Sequence, residues 1–167
     1  MARQQVPTLG FDDLTLDDEW ESPCRTVTET DVVHFAGLSG DFNPIHMDHE
    51  QARRSPFGRP IAHGLLGLAM ASGLASQAPR VDTLAFLNIV EWKFLHPIAF
   101  GDTIRVITRV VALEPRSRGR RGVVTWHRRI VDQNGTTLQE GRTQTLVRSR
   151  EPWVGLAESD VSAGGDS

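Results

Sequence analysis

The sequence predicts an α+β fold in which an antiparallel sheet wraps around one long apolar helix. Residues 64–75, GLLGLAMASGLA, are apolar on nearly every face, which is typical of a helix buried on all sides. After this helix, residues 83–148 consist of consecutive β-rich segments, and strands joined this closely cannot be parallel without long crossovers. The chain has 167 residues, enough for a single domain with a real core.

We divide the chain into three predicted parts. Residues 1–24 form an N-terminal extension, residues 25–150 the domain and residues 151–167 a flexible tail rich in Gly, Ser and Asp. The extension contains acidic residues that we expect to lie at a solvated edge, together with apolar residues compatible with a short strand. The acidic residues are Asp12, Asp13, Asp17, Asp18 and Glu19, and the apolar ones are Leu14, Leu16 and Trp20.

The domain begins with a predicted helix over residues 29–39. Thr28 and Asp31 have the spacing of a capping box, and Gly40 marks the end of the helix, so Asp41 follows directly after a helix C-terminus. A second short helix is predicted from about Asp48 until the chain reaches Pro56.

Between these helices, Asp41 and His46 flank the pair Asn43-Pro44. Proline fixes its own φ and disfavours the α region for the preceding residue, so we expect Asp41 and His46 on a bent loop. Free Asp and His titrate near about 3.9 and 6.5, so at neutral pH an ionised carboxylate would stand beside a mostly neutral imidazole. Such a pair can hold and deprotonate a water molecule.

Gly64 opens the long apolar helix and has no side chain to keep a ligand away from the backbone. The first N–H groups of a helix have no partner within it. This end of the helix is therefore a candidate site for a carbonyl oxygen that gains negative charge during a reaction.

Four strands are predicted after the helix, at residues 83–94, 103–113, 123–132 and 136–148. In the second strand Ile104, Val106, Thr108 and Val110 alternate with a second set of side chains, which indicates two different faces. Asn134-Gly135 predicts a two-residue hairpin turn between the last two strands.

Residues 39–46, SGDFNPIH, resemble the signature of the MaoC-like, (R)-specific enoyl-CoA hydratases. Residues 62–66, AHGLL, and 93–102, KFLHPIAFGD, resemble the helix entrance and a later strand and turn of the same family, so the resemblance covers roughly residues 25–148. It implies the hot-dog fold. Hot-dog proteins usually pair two such units edge to edge and this chain holds one, so the expected minimum is a homodimer.

The resemblance also implies an activity, the reversible syn addition of water to a trans-2-enoyl thioester to give an (R)-3-hydroxyacyl product. In this chemistry Asp41 and His46 activate the water, the Gly64 N–H holds the thioester oxygen, and Asn43 orients the loop or the water. No cofactor and no metal are expected.

The acyl carrier is either coenzyme A or an acyl carrier protein. Five residues near the loop and the helix entrance are candidates for binding the substrate: Arg53, Arg54, Arg59, His63 and Leu65. Arginine suits the phosphates of coenzyme A because it donates bidentate charged hydrogen bonds. The basic turn at residues 116–121, RSRGRR, is a candidate for either carrier, or an ordinary solvated loop.

Three alternatives stay open. The first is a metal site formed by Asp41, His46, Asp48 and His49, which lacks a recognised ligand spacing. The second is a hot-dog acyl-CoA thioesterase, and the third is a noncatalytic acyl-thioester-binding subunit of a heterodimer. The sequence has neither a phosphate-binding loop nor a dinucleotide fingerprint.

The composition gives no reason to expect nucleic acid or a membrane as a partner, because the net charge is only −3. The single cysteine, Cys24, allows no disulfide within the chain and is expected to be an ordinary buried or half-buried thiol. The first residues have no apolar signal core, and residues 64–75 are shorter than the roughly 20 residues that span a bilayer. A cytoplasmic location is the expectation.

Overall fold

A computed structural model describes residues 7–151 and confirms the α+β prediction. A 3₁₀ helix at Phe11–Asp13 precedes the regular elements. The strands are β1 (Glu19–Glu21), β2 (Arg25–Thr26), β3 (Thr83–Phe94), β4 (Thr103–Arg116), β5 (Arg121–Val131) and β6 (Thr137–Arg148). The helices are α1 (Glu29–Ser39), α2 (Pro44–Met47), α3 (His49–Arg53) and α4 (Gly64–Ala75).

The strands form a sheet in the order β1-β4-β5-β6-β3, and β2 also pairs with β4. All pairs between these strands are antiparallel, as predicted. The long strand β3 follows α4 in the chain but pairs only with β6, so it forms one edge of the sheet.

The hairpin between β5 and β6 is confirmed, but the predicted two-residue turn is wrong. Asp132 donates its N–H to the Thr136 carbonyl at 3.0 Å, so three residues lie between the two that close the loop. A two-residue type I′ turn needs positive φ at both central positions, whereas here Gly135 has φ 85° and Asn134 does not have a positive φ. The Asp132 carboxylate stabilises the wider loop by accepting from the backbone N–H of Asn134 at 2.9 Å and of Thr136 at 2.8 Å.

The main core lies between α4 and the concave face of the sheet. Leu66, Met70 and Leu74 of the helix pack there with Val106 and Ile130. The predicted alternation in β4 is confirmed, since Ile104, Val106, Thr108 and Val110 are buried.

A second cluster lies at the other end of the sheet and includes residues before the predicted domain. Phe11 and Leu14 are buried against Val110, Trp126 and other residues of β4, β5 and β6. β1 adds to the edge of β4. The described part of the N-terminal extension therefore packs onto the same sheet, while all but one residue of the predicted tail lies outside the described range.

Helix α4 is not buried on every face, which corrects the sequence prediction. Leu66, Met70 and Leu74 are buried, but Leu65 is 62% exposed and Ala69 is also exposed. Hydropathy along one helix cannot distinguish an apolar face that packs against the same chain from an apolar face that is available to a different molecule.

Strand β3 carries exposed apolar side chains as well: Leu84, Phe86, Leu87, Ile89, Val90 and Phe94. We call the exposed side of α4 together with these residues the β3/α4 face. Residues 7–151 of one chain leave this face uncovered, and its apolar extent exceeds the scattered surface hydrophobics that need no explanation.

Cys24 is exposed, so the expectation of a buried or half-buried thiol is wrong. The residue lies in the short connection between β1 and β2 and is flanked by exposed Pro23 and Arg25. Separately, none of the helices within residues 7–151 has the length and apolar character needed to cross a membrane.

Candidate active site

The loop that carries Asp41 starts at the end of α1. The predicted capping box is confirmed, with the Thr28 hydroxyl accepting from the Asp31 N–H at 3.2 Å and the Asp31 carboxylate accepting from the Thr28 N–H at 2.9 Å. At the other end Gly40 takes a left-handed φ of 77°, which is favourable for glycine and turns the chain out of the helix. Asp41 is the first residue beyond this turn.

His46 lies on a one-turn helix, α2, and not on the bent loop that we expected. Pro44 occupies a first-turn position, where its fixed φ suits a helix and its missing N–H costs nothing. Asn43 caps the helix by accepting from the Ile45 N–H at 3.1 Å. Asn43 in turn donates its own N–H to the Asp41 carboxylate at 3.2 Å. The motif is thus a series of local hydrogen bonds that hold Asp41 and His46 in one arrangement.

The His46 imidazole is buried, and its Nδ1 lies 2.7 Å from the carbonyl oxygen of Ile61. A carbonyl only accepts, so this contact places a proton on Nδ1. In the neutral imidazole the lone pair is then on Nε2, the form that a general base requires.

His63 immediately precedes α4 and joins the helix entrance to the Asp41 loop. It is buried, and its Nε2 donates to the Asp41 backbone carbonyl at 2.8 Å. Its ring centroid is 3.8 Å from that of His46 and 5.1 Å from that of Phe35. Among the described residues the His63 Nδ1 has no hydrogen-bond partner, although it is buried.

Asp41, His46 and His63 form one compact group. Each offers a polar side-chain atom, and these atoms all lie within 4.8 Å of one another. Asp41 is exposed while both imidazoles are buried. The carboxylate therefore lies at the protein surface, and the two imidazoles lie behind it. In the sequence His63 is a candidate only as the neighbour of Gly64. Nothing in the sequence indicates that its ring packs on His46.

A cavity of about 360 Å³ opens beside this group, and His46, Gly64, Phe94, His96 and Gln139 are among the residues that line it. Gly64 is the first residue of α4, no side chain caps the helix, and the N–H at this position has no partner within it. A Cβ added at Gly64 would lie 2.9 Å from the Phe94 ring, so the absence of a side chain allows the strand to approach closely.

Gln139 holds the first turn of α4 in place from β6. Its Nε2 donates to the Gly64 carbonyl at 3.1 Å, and its Oε1 accepts from the Trp92 Nε1 at 2.9 Å. Sequence reasoning did not single out Gln139, because its role depends on the register that brings β6 beneath α4.

The predicted substrate-binding arginines do not line this cavity. Arg53 is exposed and pairs with Glu50 at 2.9 Å. Arg54 and Arg59 are also exposed and lie in the segment that joins α3 to α4. Leu65 lines a neighbouring cavity. The basic turn at 116–121 forms the tip of the hairpin between β4 and β5.

The four residues of the alternative metal site do not come together. The Asp48 carboxylate caps α3 by accepting from the Glu50 and Gln51 N–H groups at 2.9 Å, and His49 Nε2 lies 2.8 Å from a Glu29 carboxylate oxygen. These two side chains are used in local structure. Within residues 7–151, the group whose geometry allows a metal ion is Asp41, His46 and His63, the same group that is suited to acid–base chemistry.

The fold and this group define the class of protein, a hot-dog domain with acidic and imidazole side chains at the entrance of its central helix. The double hot-dog protein of Mycobacterium tuberculosis superimposes with a TM-score of 0.76 over 98% of this chain and 54% of that one, at 20% identity. The family model of the MaoC like domain matches residues 15–131. The chain belongs to the MaoC-like family, which confirms the resemblance seen in the sequence.

Individual relatives agree with this assignment. Protein MaoC of Klebsiella aerogenes is 32% identical over 86% of this chain, which spans only 40% of that longer protein. The (R)-specific enoyl-CoA hydratase of Rhodospirillum rubrum is 32% identical, with 77% of this chain and 85% of the hydratase covered. A solved structure from Archaeoglobus, named as a monoamine oxidase regulatory protein, matches with a TM-score of 0.79 at 34% identity, over 86% of this chain and 97% of that one.

Proposed function

We propose that the chain is an (R)-specific enoyl-thioester hydratase, which also runs in reverse as a 3-hydroxyacyl-thioester dehydratase. The observation that carries this proposal is the group of Asp41, His46 and His63 beside a cavity that Gly64 lines. Relatives named (R)-specific enoyl-CoA hydratase and 3-hydroxybutyryl-CoA dehydratase, 32% and 35% identical, support it. These relatives are carbon–oxygen lyases.

In the proposed reaction the thioester carbonyl oxygen of a trans-2-enoyl group accepts from the Gly64 N–H. This polarises the conjugated double bond and makes C3 electrophilic. The enolate oxygen gains charge during the attack, and loss of one such preorganised donor typically raises a barrier by about 2.7 to 4 kcal/mol.

Asp41 and His46 supply the proton transfers. They hold a water molecule and take one proton as its oxygen bonds to C3, and a proton is returned to C2 as the enolate collapses. The water contributes one hydrogen and one hydroxyl, so the double bond becomes a single bond and nothing is oxidised. His46 is suited to the basic role because its Nδ1 is engaged with Ile61, which leaves Nε2 unprotonated in the neutral ring.

Asn43 and His63 support this pair. Asn43 caps α2 and donates to Asp41, so it fixes the loop. His63 packs on His46 and holds the Asp41 backbone carbonyl, so it positions both groups. Arg53, Arg54 and Arg59, all exposed, are proposed to meet the phosphates of coenzyme A or the surface of an acyl carrier protein outside the cavity.

The functional unit is proposed to be a homodimer. Within residues 7–151 strand β3 pairs with β6 on one side, and its other side is unpaired. The apolar β3/α4 face beside it is exposed in the described part of one chain. Pairing with a second copy along β3 would continue the sheet and cover this face. The Mycobacterium tuberculosis protein that superimposes on this chain is described as having a double hot-dog fold.

The test is the hydration of crotonyl-CoA, followed by the loss of absorbance of the conjugated thioester. We expect wild type to be active and Asp41→Asn and His46→Gln to lose at least about 100-fold in kcat, since removing a general base typically costs two to four orders of magnitude. His49→Gln is the matched control, because His49 lies three residues further on and pairs with Glu29 at the surface, away from Asp41, His46 and His63. Chiral analysis of the product checks the (R) configuration.

Three additional measurements separate the alternatives: metal dependence, release of free thiol and thioester binding. Activity that a chelator removes and a divalent metal restores would assign Asp41, His46 and His63 to a metal ion instead. Release of free coenzyme A thiol without loss of the double bond would indicate a thioesterase. A wild-type protein that binds the thioester but does neither reaction would be a noncatalytic subunit.

A further inference from the structure

Arg128 is a charged residue on the concave face of the sheet, beneath α4. It lies in the middle of β5, directly opposite Thr108 of β4 and Gly141 of β6. Its guanidinium carbon is 5.8 Å from the centroid of the Trp126 ring. Its Nε is buried and, among residues 7–151, has no hydrogen-bond partner. Nor does any described carboxylate form a salt bridge with Arg128.

Two hydroxyls near Arg128 are also unpartnered. Thr108 and Thr143 are each 1% exposed, and the Oγ1 of neither has a hydrogen-bond partner among the described residues. Buried hydroxyls are normally hydrogen-bonded. Three neighbouring strands therefore carry unused donors beside two cavities: Arg128 lines both, Thr108 lines one and Thr143 the other, and nothing in the described chain accepts from them.

No acidic residue in the described part of the chain lines the space around Arg128. Glu140 on the adjacent strand β6 and Glu91 on β3 are paired elsewhere, with His127 at 3.6 Å and Arg142 at 2.8 Å respectively. Burial lowers the pKa of Arg128 to about 10, so the group remains charged at neutral pH. Arg128 is partly buried, its Nε is sealed from solvent, and no counter-ion for it is present within residues 7–151. A desolvated cation without a counter-ion is costly, which is a reason to expect an anion there.

The space itself consists of two cavities of about 320 and 260 Å³ that share lining residues, and we call them the inner chamber. The larger one opens onto the β3/α4 face, since exposed Leu65, Phe86 and Ile89 are among its walls. Ser72, Phe86 and Arg128 line both cavities, and the remaining walls of the larger one are almost entirely apolar.

The inner chamber adjoins the candidate active site. Phe35 lines the chamber and contacts His63, and Trp92 lines it and bonds Gln139, which lines the site cavity. Ser72 is eight residues after Gly64, so at 1.5 Å per residue it lies about 12 Å along the helix. An acyl chain of medium length covers this distance from a thioester carbonyl at Gly64.

We infer that Arg128, with Thr108 and Thr143, binds a carboxylate at the far end of the acyl group, so that the preferred substrate is the monothioester of an unsaturated dicarboxylic acid. This inference rests on the proposed hydratase activity. Apolar walls with a single cationic end match an alkyl chain that terminates in a carboxylate, and guanidinium binds carboxylate through two parallel hydrogen bonds. The bulky, hydrated phosphates of the acyl carrier do not fit such walls.

The test compares trans-2-decenoyl-CoA with the mono-CoA thioester of trans-2-decenedioic acid, which has the same chain length and a terminal carboxylate. We expect wild type to have the higher kcat/KM for the dicarboxylic substrate. Arg128→Met should lower that value about 10- to 100-fold, the equivalent of one charged hydrogen-bonded contact, and leave decenoyl-CoA unaffected. Arg128→Lys should retain part of the preference.

Arg129→Met is the matched control, because the next residue on a strand points to the opposite face of the sheet. All variants are first compared for secondary structure and oligomeric state. The inference is overturned if wild type prefers decenoyl-CoA, or if Arg128→Met changes the kcat/KM of both substrates equally. It is also overturned if that variant only dissociates the oligomer, because Arg128 would then pair with a carboxylate of a second copy.

A calorimetric measurement keeps this test separate from the test of hydratase activity. Binding of the saturated analogues, decanedioyl-CoA and decanoyl-CoA, is measured for wild type and for Arg128→Met. A preference for decanedioyl-CoA that Arg128→Met abolishes supports the carboxylate site even if no hydration occurs. Equal binding of both analogues by wild type rejects the site even if hydration is observed.

Discussion

At the scale of single residues, Asp132 shows how one carboxylate stabilises a turn. Burial raises the pKa of the Asp132 carboxyl, but hydrogen bonds from Thr136 and Asn134 outweigh this effect and leave the pKa below its ordinary value. The folded state therefore favours the ionised form. This stabilisation is present above the unfolded-state pKa of about 3.9 and is lost as the pH falls through the folded-state value.

Asp132→Asn should accordingly lower the free energy of unfolding at pH 7 by about 1 kcal/mol, because it removes the charge from these hydrogen bonds. The difference between the variant and wild type should shrink as the pH falls below about 4, where the unfolded wild-type chain takes up a proton first, and disappear below the lower folded-state pKa. Urea unfolding at pH 7 and pH 3, at one protein concentration, measures both values. A difference that is the same at both pH values would contradict this account.

His63 shows a different property of single residues, since its role depends on its neighbours. The residue is an ordinary histidine before a glycine in the sequence, yet it packs on His46 and donates to the Asp41 carbonyl. Its proposed function is thus to position two groups that precede it in the chain.

At the scale of elements, the contact between α4 and β6 depends on Gly67. A Cβ at this position would lie 2.4 Å from Gln139 Nε2 and 2.7 Å from Ile98 Cδ1. Gln139 is buried and bonds both the Gly64 carbonyl and Trp92, so it cannot move aside without breaking contacts at the helix entrance.

Gly67→Ala should therefore destabilise the protein by about 1 to 3 kcal/mol, the usual effect of overpacking a core, and should change the fluorescence of Trp92. Gly37→Ala is the control, because Gly37 lies within α1 with nothing within 4 Å of an added Cβ. That change should stabilise the helix by up to about 1 kcal/mol. Urea unfolding followed by tryptophan fluorescence compares them, and equal stabilities of the two variants would contradict the close approach.

At the scale of the whole molecule, the β3/α4 face determines the expected assembly. Val90 is 46% exposed on the edge strand, and a lysine there would place a charge in the proposed interface. We expect wild type to be a dimer by sedimentation and Val90→Lys to be a folded monomer with much lower hydration activity.

Leu16→Lys is the matched control for this prediction. Leu16 is 57% exposed but precedes β1, at the opposite edge of the sheet from β3. It should remain a dimer with wild-type activity. A dimeric Val90→Lys protein would show that the two copies associate through another surface.

The sequence by itself determined most of the elements, because their signals are local. The capping box at Thr28 and Gly40 defined α1, and the β-rich segment 83–94 and the glycine before an apolar run defined β3 and α4 at their observed bounds. The motif at residues 39–46 identified the family for the same reason, since its spacing follows from hydrogen bonds between near neighbours.

The tertiary structure alone decided which distant residues meet. His63 reaches His46 across a loop, and Gln139 reaches Gly64 across 75 positions of the chain. Arg128 and Thr108 are adjacent only because β4 and β5 pair in one register. It also exposed one side of α4, which hydropathy had placed in the core. These contacts depend on strand register, and the exposure of α4 depends on which surfaces the rest of the chain covers. Neither property can be read from the residues that adjoin each position in the sequence.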